Sequence, residues 1–207
     1  MNQVARVISI IFHPLLMPTY LCGILMITVP SALNPIRQEV FSGFLMLIFL
    51  VTFILPVINI FIFKIFGTIR SLTMESRRDR VVPFVFISVL YGVMTYLFQT
   101  KFNIGINESF FRFLLIIDVL VLLSTVLTFF YRVSVHSISI CGLLGVLIPL
   151  SKVSEELILL YVTIGFIALA GVVMSSRLQL NSHTPREVMV GAVIGYSVAF
   201  FSMTFLF

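Results

Sequence analysis

Seven apolar stretches, each near the length needed to cross a bilayer, follow one another along a 207-residue chain with only short polar connections between them. A hydrocarbon core about 30 Å thick and a helical rise of about 1.5 Å per residue set one span at about 20 apolar residues. The stretches cover residues 7–31, 40–66, 82–100, 111–131, 136–152, 156–175 and 188–207. A chain that is 60% hydrophobic and 10% charged, with 22 phenylalanines and a mean hydropathy of +1.18, has too few polar groups for a water-soluble globule. The expectation is an all-α fold: one polytopic membrane domain over residues 1–207, a helical bundle of six to seven spans.

Two stretches are irregular. His13-Pro14 and Pro18 interrupt the opening of the first, so it is expected to begin as an interfacial segment. The fifth is short, and with Gly142 and Gly145 it reads either as a tilted, closely packed span or as a partly sunk helix. No small-residue cleavage site follows Arg6, so the first segment is expected to stay attached. Cys22 and Cys141 fall inside apolar stretches and read as small hydrophobes.

If all seven stretches cross, the connections after the second, fourth and sixth share one face, and these hold the polar clusters: "RSLTMESRRDRVVPF" from Arg70, "YRVSVHSIS" from Tyr131 and "SRLQLNSHTPREV" from Ser176. Each leads into a helix. Pro83 and Pro185 suit first turns, Ser134 suits an N-cap, and Thr184-Pro-Arg-Glu187 fits a capping box. Helix N-termini carry unpaired N–H groups and positive dipole ends; together with arginines they favour a phosphate-sized oxyanion. Arginines at span ends also serve as topological anchors, and Glu187 has the alternative of capping alone. In short loops these cations meet lipid headgroups or a phosphate before any nucleic acid, so no nucleic-acid partner is expected.

His136 and His183 each share a cluster with arginine and a hydroxyl. No third ligand stands at zinc spacing, so no metal and no cofactor is expected, and metal-free phosphoryl chemistry remains. His13, beside Pro14 and away from the clusters, reads as structural.

At these residues the chain resembles the membrane branch of the type 2 phosphatidic acid phosphatase superfamily, whose soluble relatives include bacterial acid phosphatases and vanadium haloperoxidases. That family carries K-x6-R-P, then P-S-G-H, then S-R-x5-H-x3-D. Ser176-Arg177, His183 and Glu187 reproduce the third spacing with glutamate in place of aspartate. Ser134-Val-His136 keeps the serine and histidine of the second, with Val133 and Val135 in place of proline and glycine. Arg70 and Arg77 have the gap of the first, but Arg78 stands where proline belongs and Pro83 comes late. The resemblance covers about residues 70–200.

The resemblance implies a metal-independent lipid phosphate phosphatase. His183 would attack phosphorus and become a phosphohistidine, Glu187 would orient it, and His136 would protonate the leaving alkoxide and later activate water. Arg70, Arg77, Arg80, Arg132, Arg177 and Ser134 would hold the phosphoryl oxygens. The implied substrate is a phosphorylated membrane lipid such as a polyprenyl diphosphate or phosphatidic acid. A degenerate member that only binds such a lipid, a subunit of a larger complex and a transporter are the alternatives.

Two further features bear on function. Asp118 lies about two turns inside the fourth stretch, where a carboxylate costs about 2.5–3.5 kcal/mol on insertion scales and calls for pairing, protonation or a substrate or proton path. Gly191-x-x-x-Gly195 reads as a close helix contact. The excess of Lys and Arg on the cluster face argues for a cytoplasmic side, but the proposed site itself uses those arginines. The family resemblance places the site on the outer, periplasmic face of a bacterial inner membrane.

Overall fold

The computed structural model describes residues 2–71 and 77–207, the side chains of Arg77 and Arg78 excepted. The chain is all-helical, 83% helix with no strands among the described residues, and seven helical runs are long and apolar enough to span a membrane. The first joins α1 (Asn2–Ile11) to α2 (Met17–Thr28) and the second joins α3 (Phe41–Phe49) to α4 (Leu55–Ile65). The other five are single helices: α5 (Arg77–Lys101), α6 (Ser109–Phe130), α7 (Val135–Val153), α8 (Leu157–Gln179) and α9 (Pro185–Leu206).

Both joints trace to proline. Pro14 cannot donate to a continuing α1, so the chain turns through a 3₁₀ segment at Pro14–Leu16, with His13 as its N-cap. α1 is thus a regular ten-residue helix packed on α8. In the second run a π-helical turn at Leu50–Ile54 precedes Pro56. Pro56 has no N–H for the carbonyl of Thr52, four residues earlier, and the Tyr91 hydroxyl of α5 donates to that oxygen at 3.1 Å.

The fifth run is the most enclosed of the seven. Its close partner is α9, and the contact is backbone on backbone. A Cβ on Gly191 would stand 2.7 Å from the Ser134 carbonyl oxygen, one on Gly145 2.6 Å from that of Tyr196, and one on Gly195 would overlap the Ile138 carbonyl oxygen. Small residues let the two axes approach, which in lipid supplies the dispersion contact that no hydrophobic effect provides between helices. Cys22 and Cys141 are buried and unbridged.

Pro83 is not in a first turn. α5 spans Arg77–Lys101, with Asp79 in its opening turn, so Pro83 lies inside the helix and residues 77–82 before it are helical. Arginine is a good helix former, and an acidic residue in the first turn complements the dipole.

Candidate active site

The thirteen residues from Ser176 to Val188 end one helix and begin the next within a few positions. α8 stops in a Schellman turn: Asn181 takes a left-handed conformation (φ 50°), its N–H donates to the Leu178 carbonyl at 2.9 Å, and Ser182 N–H donates to the Arg177 carbonyl at 3.2 Å. α9 then starts on a complete capping box, Glu187 N–H to Thr184 Oγ1 at 3.3 Å and Thr184 N–H to Glu187 Oε2 at 3.2 Å, with Pro185 in its first turn.

Between stop and start stands His183, buried, whose Nδ1 donates to Glu187 Oε2 at 2.8 Å. The same carboxylate oxygen therefore serves cap and imidazole together. His183 stands just before the N-cap Thr184, and the capping box that turns the Glu187 side chain back to the Thr184 N–H brings its carboxylate to the imidazole. Burial and the nearby Arg80 and Arg177 hold the His183 imidazole below its ordinary range, against the hydrogen bond to Glu187 that favours the cation.

His183 opens onto a cavity of about 1070 Å³ that runs from this polar end into the bundle. Arg6, Arg80, Arg132 and Arg177 line it, with no aspartate or glutamate among its described lining residues. Its deeper walls are apolar: Leu21, Ile87, Ile116, Leu143, Val146 and the ring of Tyr91. Two of these guanidinium groups hydrogen-bond to neutral partners. Arg132 Nη2 donates to the Ser182 carbonyl at 2.9 Å, tying the α6–α7 connection to the α8–α9 turn, and Arg177 Nη1 donates to Ser9 Oγ at 3.2 Å. Their Nε–H groups are buried without an acceptor among the described residues, and such donors match anionic oxygens.

Three imidazoles line this cavity: His13, His136 and His183. Each has one nitrogen committed to the protein. His183 uses Nδ1 on Glu187; His136 uses Nε2, which donates to the Ser9 carbonyl at 3.1 Å; His13 uses Nδ1, which accepts the Leu15 N–H at 3.3 Å. The second nitrogen of each has no hydrogen-bond partner among the described residues. No three His, Cys, Asp or Glu side chains among the described residues gather as metal ligands.

Of the residues expected at an oxyanion site, Arg80, Arg132, His136, Arg177 and His183 come together at the cavity, with Glu187 behind His183. Two do not. Ser134 is fully buried as the N-cap of α7, its Oγ accepting from Ser137 N–H at 3.4 Å and from the Ser137 hydroxyl at 3.0 Å, because the first orphan donor of the helix claims it. Arg70 is exposed and absent from the cavity lining; its backbone N–H reaches Asp79 Oδ1 at 3.4 Å. The side chain of Arg77 lies outside the described residues.

His13 does the structural work expected of it, as the N-cap of the turn at Pro14–Leu16, but it is not away from the clusters: its ring stands edge-on to that of His136, centroids 5.6 Å apart. A signal was available: Arg6, Ser9 and His13 recur at intervals of three and four, one face of a helix, and all three line the cavity. Asp118 is not at the cavity; it faces Thr95 and Tyr91 of α5 across the α5–α6 contact. That contact carries a polar ladder, with Ser88 and Thr125 hydroxyls 2.6 Å apart. No known protein family, curated protein or solved structure matches the chain.

Proposed function

We propose that the protein is a metal-independent phosphatase of phosphorylated membrane lipids, working through a phosphohistidine on His183. The carrying observation is the His183–Glu187 pair at the cationic end of a cavity whose other end is apolar. An anionic head and an apolar tail are what such a cavity accepts, and a bilayer supplies molecules of that kind.

The chemistry follows from which nitrogens are committed. Glu187 accepts the Nδ1–H hydrogen bond and so fixes the ring proton there, which leaves the Nε2 lone pair of neutral His183 as the nucleophile. It forms the N–P bond as the P–O bond to the lipid breaks, and that bond's electron pair leaves on oxygen. His136 enters this step as the imidazolium: its Nε2–H stays donated to the Ser9 carbonyl, and its Nδ1 proton passes to the departing oxygen, leaving His136 neutral. In the second half, water attacks phosphorus, its proton passes to His136 Nδ1, and the N–P electrons return to His183. Charge develops on the equatorial phosphoryl oxygens, where Arg80, Arg132 and Arg177 supply fixed donors. The periplasmic side of an inner membrane is the proposed location of this end of the bundle.

The test is phosphate release by purified protein in chelator-containing detergent buffer, from farnesyl diphosphate and dioleoyl phosphatidic acid. Release by the wild type, abolished in His183→Ala and reduced by about 10²-fold or more in His136→Ala, is the expected result. Wild type that binds these lipids but releases nothing is a carrier or a binding subunit instead.

A further inference from the structure

We infer that His13 is a third histidine of the active site, donating its Nε2–H to a non-bridging phosphoryl oxygen of the substrate; this rests on the phosphatase reading above. Leu15 N–H occupies the Nδ1 lone pair of His13, which fixes the proton on Nε2. The ring is held by that cap bond, by His136 on one edge and by Phe53, centroids 6.2 Å away, on another. Nε2 has no protein partner among the described residues, and the side chain lines the cavity that holds Arg177 and His183.

The consequence is a division of labour. His13 cannot deliver a proton to the leaving group without becoming an anion, because its other nitrogen is filled by an accepted hydrogen bond. It is therefore a neutral donor whose proton stays on Nε2 throughout, while His136, with Nδ1 open, moves protons. A neutral, fixed N–H aimed at developing negative charge acts on the transition state more than on substrate binding. Its placement also explains why α1 carries Arg6 and Ser9 on the same face as His13: the N-terminal helix is a wall of the site.

The test separates the donor from the cap. Asparagine caps a helical turn well, so His13→Asn keeps an acceptor for Leu15 N–H while removing the reach of the imidazole. With farnesyl diphosphate or dioleoyl phosphatidic acid, whichever the wild type hydrolyses, His13→Asn is expected to lower kcat about a hundredfold with KM within about threefold and an unchanged melting temperature. His13→Gln, whose amide N–H₂ reaches further, is expected to recover part of that loss. Wild-type kcat in the Asn variant overturns the role, as does a rate loss seen only in His13→Ala together with a lowered melting temperature. Wild type that hydrolyses neither probe removes the phosphatase reading itself, which is a different failure from an active enzyme indifferent to residue 13.

Discussion

Placing one methyl group on Gly195 tests whether the α7–α9 contact is what holds the site together. A Cβ there would overlap the Ile138 carbonyl oxygen and stand 2.8 Å from the carbonyl carbon. Favourable carbon–carbon contact lies at about 3.5–4.0 Å, so about 0.7 Å must be recovered by moving backbone. No flexible side chain can give way, because the obstructing atoms belong to α7 itself. Overpacking of this kind costs about 1–3 kcal/mol, against which Gly→Ala in a helix returns up to about 1 kcal/mol of propensity. Gly171 of α8 is the internal control, since a Cβ there meets nothing within 4 Å. Gly171→Ala keeps the propensity gain without the overlap, so the difference between the two variants isolates the contact. At about 2–4 °C per kcal/mol for a chain of this size, Gly195→Ala is expected to melt about 5 °C or more below Gly171→Ala in detergent. Ile138 also lies two residues from His136, so pushing α7 aside moves one imidazole relative to His183, and phosphate release should fall about a hundredfold for a displacement near 1 Å. Two variants melting within about 1 °C of each other and equally active would refute the backbone contact.

Other expectations bear on the His183 end. Glu187→Gln keeps a capping-box partner for Thr184 but removes the carboxylate behind His183; kcat should fall by about 10²–10⁴ while the melting temperature changes by less than about 2 °C, read by steady-state kinetics and thermal unfolding. The lowered affinity of buried His183 for protons has a definite sign: the unfolded chain binds a proton below about pH 6.5 that the native state resists, so stability should decline as pH falls from about 6.5. His183→Gln should flatten that acid decline in denaturant titrations. The acid limb of kcat/KM, which requires neutral His183, should likewise lie below about pH 6.5 in the wild type.

Contacts made within a few residues are legible in the chain itself. His183 precedes the N-cap Thr184 by one residue, and the capping box legible in Thr184-Pro-Arg-Glu187 turns the Glu187 carboxylate back to it. Ser134 shows the limit of such reading. The same hydroxyl suits a cap or an anion, and in the fold the N-terminus of α7 takes it. The place of Pro83 is not legible locally, because arginines suit a polar loop and also form helices, and only the fold shows the backbone helical from Arg77. His13 was passed over because its partners, His136 and Arg177, lie more than a hundred residues along the chain.

The sequence alone determined that this chain belongs in a bilayer as helices, since seven apolar stretches of span length leave no other way to satisfy the backbone. It also determined the turn that stops α8, starts α9 and presents His183, because caps and i, i+4 pairs act over a few residues. Only the tertiary structure decided that α1 closes the site and that Arg70 stays out of it. It alone placed three imidazoles, each with a nitrogen to spare, around one cavity. Those facts depend on how closely helix backbones approach, which glycines permit but no local pattern specifies.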